Sequence, residues 1–283
     1  MRHRSLMLLI VAATLQVSVA GQLAWVERSG GELELQEGGK RVFVYRHGQG
    51  RDCCYVAPLV TPKGVVVTDD GPKDHVHHRG LFWGWTIVES DGKKGDLWAR
   101  KGAIEHRAVR VVSQKASARS ATFAAEHVWV LEGADIVRDS LTVTAYPVDA
   151  GGRRVLDVVL TMEALDKPVR IAGAQENNKG YGGLSIRYAP REGTVLRTSS
   201  GALTKDEDHG RHQWVEFLGT FAQGRAGLRF TADAGNPGYP NEWCLRHYGF
   251  TGANYPGVSG TVLEPRKRVT LRYRLELFDI SRE

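Results

Sequence analysis

The chain has little of what usually identifies a small protein at sight. Three cysteines, Cys53, Cys54 and Cys244, are too few for a disulfide scaffold. With no Cys-x-x-Cys pair, a structural zinc site built from cysteines is excluded. Cys244 pairing with one of the vicinal cysteines and three buried free thiols are both compatible with this spacing. No run of five or six basic residues occurs, so the net charge of +6 gives no nucleic-acid-binding stripe. The sequence also lacks a Gly-x-Ser-x-Gly elbow, a phosphate-binding glycine loop and a dinucleotide fingerprint, which argues against serine hydrolases, kinases and NAD enzymes. Beyond residue 20 there is no apolar run approaching the roughly 20 residues of a membrane-spanning helix. Helical periodicity is nearly missing as well.

The first twenty residues read as a secretory signal peptide. Arg2 and Arg4 precede a mostly apolar Leu6–Val17, and Ser18-Val19-Ala20 supplies small residues for cleavage. The expected organisation is residues 1–20 as signal peptide and residues 21–283 as one all-β domain, in a periplasmic or extracellular protein.

Strand signals fill the rest. "ELELQEGGKRVFVYR" alternates on both sides of Gly38-Gly39, the pattern of a hairpin. In "VLDVVLTMEAL", Leu156, Val158, Leu160 and Met162 share a face, as do Leu271, Tyr273, Leu275 and Leu277 near the end. "SATFAAEHVWVLEG" and "DIVRDSLTVTAYPV" read as long strands paired around Gly133. Long antiparallel strands without intervening helices predict a large antiparallel β-sandwich. Two stretches, "IAGAQENNKGYGGL" and "TADAGNPGYPNEWCLRHYGFTGANYPG", read as irregular loops on that scaffold, where function commonly sits.

Chemistry concentrates in "GPKDHVHHRGLFWGW", Gly71 to Trp85. In extended backbone, residues two apart face the same way, so His75 and His77 converge and His78 points away. A converging His-x-His pair admits a divalent metal, but Glu105, His106 and His127, the available third ligands, lack diagnostic spacing. The reading therefore assigns no metal or cofactor and keeps a metal at His75 and His77 as the alternative. Imidazole also moves protons near neutrality without a metal, which makes His77 or His78 the acid/base residue.

Around this stretch the residues suit a polar ligand. Trp83, Trp85 and Trp243 offer indole faces for stacking on sugar rings, with Trp98 nearby in the chain. Glu176 is the complementary carboxylate and Lys179 its cationic neighbour, within a loop that also presents Asn178 and Tyr181. Arg79, Arg187 and Arg246 are positioned to bind oxygens or a carboxylate, and Glu105 or His106, but not both, can join the site. "DEDHGRHQW" reads as a solvated acidic loop, since its Asp-x-Asp lacks the further oxygen ligands of a calcium site.

Taken together, "DHVHHRGLFWGW", "GAIEH", "KGYGGLSIRY", "HQWVEFLG", "NPGYPNEWCLRHYG" and "LRYRLELFD" resemble a bacterial exported family labelled PmoA-like, or methane oxygenase PmoA, which has no settled activity. Methane oxidation is not carried over, because a membrane methane monooxygenase subunit contains transmembrane helices that this sequence lacks. The long-strand pattern also looks like the galactose-mutarotase-like supersandwich of aldose epimerases. That likeness implies sugar handling by His, Glu and Arg on a concave sheet. The resulting expectation is an exported carbohydrate-active enzyme, a lyase, hydrolase or epimerase. Its partner is a carbohydrate or other polyol, with no nucleic acid and no membrane span. The alternatives are a metal-dependent enzyme and a non-catalytic glycan-binding envelope protein.

Overall fold

Glu32–Glu37 and Lys40–Arg46 form the expected hairpin, turned by Gly38 and Gly39 at φ +55° and +78°. Positive φ at two successive positions is the requirement that selects glycine in such a turn. In the computed structural model, which describes residues 21–48 and 50–281, this hairpin is the start of a nine-stranded antiparallel sheet. The proposed signal peptide lies outside the described residues.

From edge to edge this first sheet runs Leu23–Arg28, Glu32–Glu37, Lys40–Arg46, Tyr55–Leu59, Leu81–Gly84, Gly183–Arg187, Phe250–Asn254, Glu242–Arg246 and Glu207–Arg211. Its second half thus draws neighbours from distant parts of the chain. A second nine-stranded sheet contains the long strands Ile104–Ala116, Ala121–Leu131, Ala134–Ala145, Arg153–Ala164 and Arg268–Asp279. Their alternation is realised: Leu156, Val158, Leu160 and Met162 are buried, and so are Leu271, Tyr273, Leu275 and Leu277. Four short strands make a third, small sheet.

The two large sheets face each other across one continuous apolar core. Phe43 packs beside Phe123 and Trp243 on Phe230 between the two sheets, and Trp85 and Tyr188, each just past a strand of the first sheet, pack on Trp129 and Phe217 of the second. The chain is therefore all-β, a large antiparallel β-sandwich. Among the described residues the one helical element is a single 3-10 turn, Glu176–Asn178, and no helix is long and apolar enough to cross a membrane.

Two local expectations are corrected. The Gly- and Pro-rich stretch ending in "ANYPG" is not one irregular loop, because Glu242–Arg246 and Phe250–Asn254 pair inside the first sheet. Pairing on both sides of Phe250–Asn254 satisfies its backbone and outweighs the turn propensity of the flanking residues. "DEDHGRHQW" likewise is not a solvated loop. Glu207–Arg211 is an edge strand, and Asp206 and Asp208 are bound to His247 and Arg246.

Candidate functional site

A second, smaller cluster of buried residues lies on the face of the first sheet opposite the main core. It contains Tyr55, Ala57, Phe82, Cys244 and Phe250, alternating along their strands with residues that face inward, and Trp98 from a turn. Over this cluster opens a cavity of about 310 Å³. Its floor is His78, Trp98, Cys244 and Phe250, all buried, and its more open wall is His75, His77, Lys179, Tyr181, Arg246 and Tyr248.

All three histidines of the "HVHH" stretch reach this cavity, which corrects the expectation that His78 points away. The segment is not extended. The His78 amide donates to the His75 carbonyl at 2.9 Å, and the His75 amide to the Pro72 carbonyl at 3.1 Å, so successive turns replace strand alternation. Gly71 opens the turn with φ +69°, where a Cβ would lie 2.6 Å from the Arg79 guanidinium. The His75 and His78 rings stack, with centroids 4.5 Å apart and planes 16° apart, and His77 stands edge-on to His78 at 4.7 Å.

Two arginines pin the turn. Arg187 holds both oxygens of Asp74, at 2.7 and 2.9 Å, and its guanidinium lies 4.8 Å from the centre of the Tyr248 ring, which stacks on His75. Arg100 donates to the His77 carbonyl at 2.9 Å. Burial, reinforced by the positive charge of Arg100, holds His77 down at about 4. Burial, reinforced by His77 and His75, holds His78 at about 2. Both imidazoles are consequently neutral at pH 7, able to accept a proton.

The opposite wall depends on the loop at residues 173–182, in which Asn177, Asn178 and Gly180 all have positive φ. The Asn178 carbonyl accepts a hydrogen bond from His209 Nε2 at 2.5 Å, and the other ring nitrogen of His209 binds Glu242 at 3.1 Å. Desolvation opposes charge on His209, but these two acceptors outweigh it and raise its pKa. This anchorage presents Lys179 and Tyr181 to the cavity. Arg246 is held by Asp208 and by the Glu207 carbonyl at 2.9 Å.

Of the expected site residues, His75, His77, His78, Lys179, Tyr181 and Arg246 come together, with Arg187 immediately beneath them. The rest do not. Glu176 is exposed and is not part of the cavity wall, because the 3-10 turn carries it outward. Asn178 contributes its backbone rather than its side chain. Arg79 faces Asp70 and Asp52. Glu105 lines a different cavity and pairs with Arg107.

Trp83, Trp85 and Trp243 are core residues, not stacking walls. Trp83 and Trp243 sit at inward positions of their strands and Trp85 just past the end of Leu81–Gly84, Trp85 donating to the Tyr255 carbonyl at 2.6 Å and Trp243 to the His212 carbonyl at 2.8 Å. The aromatic surfaces of the cavity are instead Trp98 and Phe250 in its floor and Tyr181 and Tyr248 in its wall. Trp98 was visible in the sequence as a neighbour of the histidines, whereas nothing local to Tyr248 or Phe250 linked them to His75.

The ligands considered for a metal at His75 and His77 are elsewhere. His106 and His127 lie in the core on either side of Asp139, with His106 Nε2 at 3.0 Å and His127 Nδ1 at 2.6 Å from its oxygens. Among the described residues this is the one group of three whose ligand atoms lie within 4.8 Å of one another. Its lone pairs are already engaged: Trp129 donates to Asp139, and Tyr45 lies 2.6 Å from His127 Nε2. Burial opposes charge on Asp139, but the imidazoles hold its carboxyl well below the usual range. The three cysteines are buried and unpaired, and burial pushes the Cys53 and Cys244 thiols up to about 12.

No curated protein matches the chain. Among solved structures, a GH36 α-galactosidase variant from Geobacillus stearothermophilus in complex with raffinose is 12% identical with a TM-score of 0.40 over 92% of this chain. The chain spans 40% of that protein's length. A galactose mutarotase-like protein from Lactobacillus casei ATCC 334 is 12% identical with a TM-score of 0.32, covering 90% of this chain and 99% of its own. Residues 32–282 match a family described as DUF6807, of unknown function, and the chain belongs to that family.

Proposed function

We propose that this protein is a carbohydrate-active enzyme in which the neutral imidazole of His77 moves a proton on a bound sugar or polyol. The observation that carries the reading is the convergence of three imidazoles, Lys179 and Arg246 on one aromatic-walled cavity. Its size falls near the lower end of the roughly 300–1,000 Å³ range of small-molecule sites. Aromatic faces suit the apolar faces of a sugar ring, while the amine, guanidinium and imidazoles suit its oxygens. His77 is only half-buried and His78 forms the floor, which makes His77 the reachable base. Two-carboxylate glycoside hydrolysis has no support here, since neither Asp nor Glu lines the cavity. That leaves epimerisation or elimination, with Tyr181 or Tyr248 as the acid partner. The reading includes export, supported by the basic-then-apolar sequence of residues 1–20.

The test is a turnover screen on neutral and oxidised glycosides, followed by His77→Ala. Loss of turnover with unchanged circular dichroism is expected. In the native protein the acid limb of kcat/KM should fall near pH 4, because the base stays unprotonated down to its depressed pKa. Undiminished turnover in the variant overturns the assignment.

A further inference from the structure

We infer that the ligand is a sugar acid, a pyranose bearing a carboxylate, and that the Lys179 ammonium is the partner of that carboxylate. The inference rests on the sugar-site reading above and narrows it to one substrate class.

The charges around the cavity single out Lys179. Arg246 is neutralised by Asp208, Arg187 by Asp74 and Arg100 by Asp52, in each case through a direct ion pair. Lys179 forms no such pair among the described residues, yet its side chain lines the cavity. The wall holds no carboxylate of its own. A neutral ligand would leave this half-buried ammonium without a counter-charge, whereas a monoanion supplies one. A single uncompensated cation matches a carboxylate better than a dianionic phosphate.

A carboxylate on the sugar also gives the base something to do. The hydrogen on the ring carbon beside it is acidified, and a neutral imidazole can remove it when the resulting charge is held electrostatically. The proton passes to His77, and the C–H electron pair moves into the carboxylate as an enediolate facing Lys179. The return of a proton to that carbon gives back the acid or its epimer. Alternatively, the pair returns to form a C=C bond as the C–O bond at the next carbon breaks, and the departing oxygen takes a proton from a tyrosine. Neither course needs an oxidant or a further reactant.

Calorimetric titration of the full-length protein with methyl glucuronide, methyl galacturonide, their methyl esters, methyl glucoside and glucose 6-phosphate tests the assignment. At least one uronide should bind ten-fold or more tighter than its ester and than the neutral glucoside. Lys179→Met should remove that preference, so that uronide, ester and neutral glucoside bind the variant equally. Deuterium should enter the carbon beside the carboxylate in D₂O, and fail to do so in His77→Ala. Equal binding of acid, ester and neutral sugar overturns the sugar-acid assignment but leaves the sugar site standing. Tighter binding of the sugar phosphate overturns the carboxylate in favour of a phosphate. Binding of none of the probes overturns both readings.

Discussion

His209 Nε2 lies 2.5 Å from the carbonyl oxygen of Asn178, while its Nδ1 lies 3.1 Å from a carboxylate oxygen of Glu242. Both partners only accept hydrogen bonds, so the ring satisfies them together only as an imidazolium. That cation ties the loop bearing Lys179 and Tyr181 to the edge of the first sheet. Arg211 shares Glu242, at 2.9 Å, and Asp208 adds negative charge nearby.

This contact predicts an alkaline sensitivity of the cavity. The folded-state pKa of His209 is raised above 6.5, so its stabilising effect is complete below pH 6.5 and is lost as pH rises through the raised value. KM should increase over that window with a smaller change in kcat. His209→Gln, which keeps a single donor group, should have a high KM that no longer varies there. The ring nitrogens followed by nitrogen NMR should both be protonated at pH 6.5, and a neutral ring at that pH would contradict the prediction.

The tryptophans divide from the cavity tyrosine in what they support. Trp85→Ala and Trp243→Ala should each cost about 3–5 kcal/mol of folding stability, because both indoles are fully buried. Tyr248→Ala removes a ring that is 43% exposed and covers Arg187, and should cost only about 0.5–1 kcal/mol. It should nonetheless weaken ligand binding several-fold. Urea denaturation and ligand titration on the same three variants separate the two effects.

Asp139 is a stability residue. Its buried carboxylate is contacted by His106, His127 and Trp129, and an amide in its place would set N–H groups against N–H groups. Asp139→Asn should destabilise the fold by about 3–5 kcal/mol, the usual cost of breaking a buried charged contact. Denaturation midpoints with an unchanged m-value would measure it.

Alternation made the architecture readable from the chain alone. The inner long strands of the second sheet bury one face, and a period of two leaves no other register for Leu156 to Met162 or Leu271 to Leu277. The site was readable only in part. His75, His77, Lys179 and Arg246 stood out by chemical type, and all of them line the cavity. Glu176 stood out for the same reason and does not, because one 3-10 turn reverses which way neighbouring residues point. Indole burial was equally illegible, since a strand's inward face is chosen by the sheet opposite it.

Residue type and local period thus determined the strands, the turn glycines and a short roster of reactive groups. Tertiary structure decided which of these groups meet. Leu81–Gly84, Gly183–Arg187 and the hairpin of Glu242–Arg246 with Phe250–Asn254 are neighbours in one sheet although the chain separates these three parts widely. Their pairing carries Arg187, Arg246 and Tyr248 to the three histidines. Such pairing depends on the burial of entire faces, a free energy shared by many residues at once, so no local stretch of sequence encodes it.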